Sequence, residues 1–167
     1  QGRRHGEDVN ITNVSDEYGM LVLTGPRARD VLAGLTDADL GNQAFPWLTA
    51  REITVAGVPT RALRMSYAGE LGWELHHPMA SMAGLYDALM AAGEEFGIAN
   101  FGVSALNSLR LEKGYRGWGA ELTNEITMTE ADMERFLKLD KDDFIGRRAA
   151  LKSKADGPRS TLVYMVV

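Results

Sequence analysis

From residue 18 onward the chain sets its apolar side chains in short blocks whose spacing changes from block to block. Tyr18-Gly19-Met20-Leu21-Val22-Leu23-Thr24 is a continuous apolar run that predicts a strand buried on both faces. Gly25-Pro26 stops it, and Pro26 suits the first turn of a helix, where its missing N–H costs nothing. Ala28, Val31, Leu32 and Leu35 then recur at a helical period. Ahead of this unit, Val9-Asn10-Ile11-Thr12-Asn13-Val14 alternates and predicts an edge strand. After it, Phe45-Pro46-Trp47-Leu48 reads as an aromatic plug.

Two β-rich runs follow, Arg51–Val55 and Val58–Met65, separated by Ala56-Gly57, the length of a tight hairpin turn. A third run, Trp73–His76, returns after Gly69-Glu70-Leu71-Gly72, so the three form a meander. From Ala80 to Phe96, Met82, Leu85, Tyr86, Leu89 and Met90 keep helical spacing, and Gly97 ends that helix. A second helix is predicted from Val103 to Lys113 with Gly114 as its stop, and a short one across Gly146–Lys154. Thr161–Val167 reads as a strand that ends abruptly on apolar residues. This order predicts an α+β fold, an antiparallel sheet with helices packed on one face.

Composition narrows the chemistry. The 167 residues are 45% hydrophobic and 25% charged, an ordinary globular mix. A net charge of −5 argues against a nucleic-acid surface, which needs a basic footprint. No stretch of the sequence is apolar for long enough to predict a membrane span. Without cysteine there is no disulfide, thiolate metal site or cysteine nucleophile, and three histidines without clustered carboxylates predict no metal site. The eight methionines fall mainly at apolar positions and predict a methionine-filled core. The glycines give no Gly-rich nucleotide loop.

Two constellations carry more. If the strands flanking the 69–72 turn pair symmetrically, Tyr67 and Glu74 oppose each other across a hairpin. A carboxylate beside a phenol can accept paired hydrogen bonds from an amidine-like ring edge. The residues alone fit an ordinary cross-strand pair, with Glu74 in solvent, better. The second constellation is Ser108-Leu109-Arg110-Leu111-Glu112-Lys113-Gly114-Tyr115-Arg116. Arg110 and Lys113 lie three apart and fit a solvated, salt-bridged helix face. Tyr115 and Trp118 beyond it suit stacking on a planar ligand or capping of the core.

At these stretches the sequence resembles the folate-binding domain shared by the glycine-cleavage T-protein and the flavin-dependent dimethylglycine and sarcosine dehydrogenases. The matching strings are Leu21–Pro26 with Arg29-Asp30-Val31-Leu32, Gly69–His76, Ser108–Arg116, Glu121-Leu122-Thr123 and Asp143–Arg147. They stand in the family's order over roughly residues 9–167. T-proteins usually carry an arginine and an aspartate where this chain has Leu106 and Asn107, so the dehydrogenase branch is the better match. Met128 and Asp132-Met133 depart from the family's Thr-Pro-x-Glu-Ala-Gly-Leu, with aspartate in the glycine's place.

The resemblance implies a T-protein-like folate-binding domain, in part, at residues 9–160. Residues 1–8 would be a polar leader, and residues 161–167 the start of a C-terminal β-barrel domain. It implies tetrahydrofolate as cofactor, held by Tyr67, Glu74, Leu75, His76 and Tyr115, with FAD in an upstream domain. The catalytic aspartate would lie outside these residues. The implied reaction oxidises dimethylglycine or sarcosine, an N-methyl amine substrate, and passes the one-carbon unit to tetrahydrofolate. The alternatives are a T-protein-type aminomethyltransferase or a non-catalytic folate-binding module. The chain would pack on other parts of its own full-length protein, in the cytoplasm or, in a eukaryote, the mitochondrial matrix.

Overall fold

A computed structural model describes residues 10–165. The chain divides into two compact units, one up to Leu106 and the other from Asn107. The first unit holds strand β1 (Tyr18–Thr24), helix α1 (Ala28–Ala33), strands β2 (Ala50–Val55), β3 (Val58–Leu63) and β4 (Gly72–Pro78), and helix α2 (Met82–Gly93). The four strands form one antiparallel sheet in the order β1-β4-β3-β2. The meander β2-β3-β4 is as expected. Its first turn places Ala56 and Gly57 at φ 48 and 79, the double left-handed conformation of a two-residue hairpin. Short 3-10 turns flank α2, over Met79–Ser81 and Glu94–Phe96, and Gly97 closes it in the left-handed conformation at φ 71.

One face of the sheet carries the core. Leu23, Val55, Trp73 and Leu75 pack against Val31 and Leu32 of α1 and Leu85 and Leu89 of α2. Each such buried side chain contributes about 1.5–3 kcal/mol. Of the predicted aromatic plug only Phe45 enters, meeting Trp73 edge-on at 6.2 Å, while Trp47 and Leu48 are exposed. No methionine is among the buried residues, so the methionine-filled core is corrected: branched and aromatic side chains occupy it, and Met20, Met65 and Met79 stand exposed.

β1 also departs from expectation. Gly19, Leu21 and Leu23 turn inward, but Tyr18, Met20 and Val22 lie on the opposite face and are exposed. The strand is buried on one side only, because α1 and α2 both lie on that side. Residues 10–14 form no strand. Glu17 N–H instead bonds the Val14 carbonyl and turns the chain into β1. Val9 lies outside the described residues.

From Val103 to Glu112 runs α3, one residue short of the predicted end, and α4 spans Arg147–Asp156. Residues 161–165 make no strand, since the Leu162 N–H bonds the Glu130 carbonyl of a loop rather than a neighbouring strand. Residues 1–9 and 166–167 lie outside the described part, and the leader expected at 1–8 with them. Among the described residues no helix is long and apolar enough to cross a membrane.

Candidate functional site

Strand alternation sorts the candidate residues of the first unit. On β4, Trp73, Leu75 and His77 point into the core, whereas Glu74 and His76 point to the other face. Leu75 is therefore a core side chain, buried on the face opposite Glu74. His76 and His77 leave the strand on opposite sides and cannot share one ligand. His77 is buried, with Nδ1 at 2.8 Å from the Leu75 carbonyl, and that nitrogen must carry the proton because a carbonyl only accepts.

Register fixes what surrounds Glu74. Its partners are Val22 on β1 and Leu63 on β3. Those of His76 are Met20 and Arg61, and Arg61 pairs in turn with Glu52 of β2 through an ion pair at 2.8 Å. Across this face an apolar stripe of Tyr18, Met20 and Val22 thus lies beside a carboxylate and an imidazole. Beyond them stands the exposed Arg61–Glu52 pair. Met20 and Val22 are 46% and 47% exposed. The Glu74 carboxylate is 25% exposed, and the His76 ring stands beside it, Nε2 to Oε2 at 3.5 Å. That separation is long for a hydrogen bond, so among the described residues Glu74 accepts none.

The expected Tyr67–Glu74 opposition is corrected. Leu63 faces Glu74, and β3 ends there, which leaves Tyr67 in the loop before β4. Symmetric pairing about the 69–72 turn fails because residues 64–71 form one longer loop, tied down at both ends. Arg64 N–H bonds the Thr49 carbonyl, Gly25 N–H bonds the Leu71 carbonyl, and Thr24 and Ser66 share a hydroxyl hydrogen bond at 2.8 Å. Tyr67 is thereby held partly exposed on a pinned loop.

Tyr115 belongs to the second unit. It follows α3 in a turn that Arg110 organises from within. Arg110 is 6% exposed and donates through Nη1 to the Tyr115 carbonyl at 2.9 Å and to Glu121 Oε2 at 2.8 Å. The same carboxylate oxygen accepts the Gly117 N–H. That hydrogen bond and the Arg110 guanidinium hold the Glu121 carboxyl below the usual range against the opposing effect of burial. The solvated-face reading of Arg110 is thus corrected: its guanidinium is buried because Glu121, eleven residues on, supplies a charge. Tyr115 lines a cavity of about 130 Å³ with Leu111, Arg116 and Tyr164.

Asp132, where the resemblance leads one to expect glycine, takes the left-handed conformation at φ 54. Aspartate tolerates it better than most residues, and Arg116 reaches its carboxylate at 3.3 Å. Two features of this unit escaped the sequence reading. One is the Arg110–Glu121 pair. The other is the reciprocal capping of Thr127 and Glu130, legible in hindsight as Thr-x-x-Glu.

Comparison with known proteins assigns this arrangement to a class. Residues 2–141 match the family described as the GCVT N-terminal domain. The chain belongs to that family. It is 46% identical over 165 residues to mouse mitochondrial dimethylglycine dehydrogenase, covering 98% of this chain and 19% of that protein. It is 39% identical over 158 residues to an aminomethyltransferase of Koribacter versatilis, covering 93% of this chain and 41% of that one. Among solved structures, aminomethyltransferase T of the Bartonella henselae glycine cleavage system superposes with a TM-score of 0.70 at 29% identity. That superposition covers 84% of this chain and 37% of the other. The chain spans about a fifth of the dehydrogenase's length and about two fifths of the aminomethyltransferase's.

Proposed function

We propose that this chain is the tetrahydrofolate-binding region of a flavin-dependent dimethylglycine or sarcosine dehydrogenase, and that the Glu74 face of the first unit receives the pterin. The observation that carries this reading is the Glu74 carboxylate itself, partly buried beside an apolar stripe and accepting no hydrogen bond among the described residues. A pterin edge offers an N–H and an NH₂ side by side, the donor pair that a carboxylate accepts with both oxygens. Its flat ring suits the Met20 and Val22 surface. Tyr67 would border the ring from its pinned loop, His76 would flank the carboxylate, and Leu75 would contribute only its backbone, while Tyr115, in the second unit, rests on the family resemblance alone. When bound, tetrahydrofolate supplies the nitrogens that capture a one-carbon unit. FAD, in another part of the protein, would oxidise the N-methyl amine. The dehydrogenase reading is preferred over an aminomethyltransferase by 46% identity against 37–41%, and by Leu106 and Asn107, where T-proteins usually carry an arginine and an aspartate.

Each charged hydrogen bond is worth about 1.5–3 kcal/mol before desolvation. Glu74→Gln keeps the size but turns one acceptor into a donor that opposes the ligand's own N–H. Folate affinity is expected to fall at least tenfold, about 1.4 kcal/mol, with thermal stability unchanged. Calorimetric titration of tetrahydrofolate into wild type and Glu74→Gln measures this. Equal dissociation constants would remove Glu74 from the site.

A further inference from the structure

Three guanidinium groups crowd one loop of the first unit. Arg29 of α1 and Arg64, just past β3, each donate an Nη2–H to the same oxygen, Asn42 Oδ1, at 2.7 and 2.8 Å. Arg64 also donates to the Phe45 carbonyl, and Arg51 of β2 donates to the carbonyls of Asp39 and Ala44. None of these acceptors carries a charge. The neighbouring carboxylates are engaged elsewhere: Asp30 with Arg27, Glu52 with Arg61, and Asp39 on the Gly41 N–H. Among the described residues neither Arg29 nor Arg64 has a carboxylate within ion-pair distance.

Two further facts make the cluster more than a surface of scattered charge. The Nε–H groups of Arg29 and Arg64 are both buried without an acceptor. A buried donor left unpaired is destabilising and is rare in native structures. Burial and the charge of Arg29 also hold the Arg64 pKa below its ordinary value, a sign of like charges left uncompensated. A neutral amide oxygen cannot cancel two cations, whereas an oxyanion can do so and can accept in the guanidinium's fork geometry.

We propose that Arg29, Asn42 and Arg64 form a binding site for a small oxyanion, the phosphate or carboxylate group of a soluble ligand. Arg64 packs over the Trp73 ring at 6.0 Å, and Trp73 faces the core side of the sheet. The cluster therefore lies away from the Glu74 face, and its fate is independent of the folate reading.

The test titrates inorganic phosphate, and separately acetate, into the ¹⁵N-labelled 167-residue chain while the arginine Nε–H signals are followed by NMR. Saturable shifts confined to Arg29 and Arg64 are expected with at least one anion, with Arg61, already held by Glu52, unmoved. Phosphate alone acting identifies a phosphate site, and both acting identify a general oxyanion site. Arg29→Gln, which can still donate to Asn42 but lacks the charge, should weaken binding at least tenfold, and Arg29→Lys should weaken it less. Uniform shifts that follow ionic strength, absence of saturation at tens of millimolar, or equal affinity in Arg29→Gln would each overturn the proposal. The wild-type titration decides the matter even if a variant folds poorly.

Discussion

Glu130 is nearly out of reach of water yet stays ionised, and its surroundings explain why. One carboxylate oxygen accepts the amide and hydroxyl of Thr127, and the other accepts Arg159 at 2.9 Å. Arg159 and then Thr127 pull its pKa from an ordinary 4.5 down to about 2. The folded value lies below the unfolded one, so the stabilisation is fully present above pH 4.5. It is lost progressively as the pH falls from there towards 2. Acid unfolding followed by circular dichroism should show a transition in that window. Glu130→Gln should lower stability at neutral pH and flatten the acid limb. An unchanged acid profile in the variant would mean that Glu130 does not control it. Asp132 makes a complementary point at the same scale, because an ionic contact holds an aspartate where backbone freedom would favour glycine.

At the scale of elements, the junction between β1 and β4 underlies the proposed site. A Cβ on Gly72 would stand 2.7 Å from the Leu23 carbonyl and 3.0 Å from Thr24 Oγ1, where the strand ends pair and the Tyr67 loop is tied. Backbone cannot yield there as a side chain could. Gly72→Ala should cost about 1–3 kcal/mol in urea unfolding and loosen the 64–71 loop. Gly84→Ala in α2 meets open space and should stabilise by up to about 1 kcal/mol. Equal effects of the two would discount the close approach at Gly72. Elements of this kind were legible in sequence wherever the signal was local: the Ala56-Gly57 turn, the meander, and the α2 period with its Gly97 stop. Glu74 was legible too, as a carboxylate on a strand. Its neighbours were not, because one missed loop length moved the register from Tyr67 to Leu63. The burial of Arg110 was equally hidden, since it depends on a charge eleven residues away that no helical period reveals.

At the scale of the whole molecule, the chain spans about a fifth of a dehydrogenase relative, and the proposed function gives it a folate-binding role. Its 167 residues contain no Gly-rich phosphate loop for a flavin. Purified alone, it should bind folate without oxidising dimethylglycine. Methylenetetrahydrofolate formed from dimethylglycine by this chain would contradict that expectation. The second unit holds a constraint of another kind. Glu121 Oε2 serves the Arg110 guanidinium and the Gly117 amide together, and a Cβ at position 117 would stand 3.0 Å from that oxygen and 3.2 Å from Arg110 Nη2. The three positions are therefore physically coupled, and a change at one alters what the other two must accommodate. Losing the carboxylate strands a buried cation, losing the cation strands the carboxylate, and gaining a side chain at 117 forces both aside. The turn that bears Tyr115 thus depends on all three at once, since Arg110 also holds the Tyr115 carbonyl.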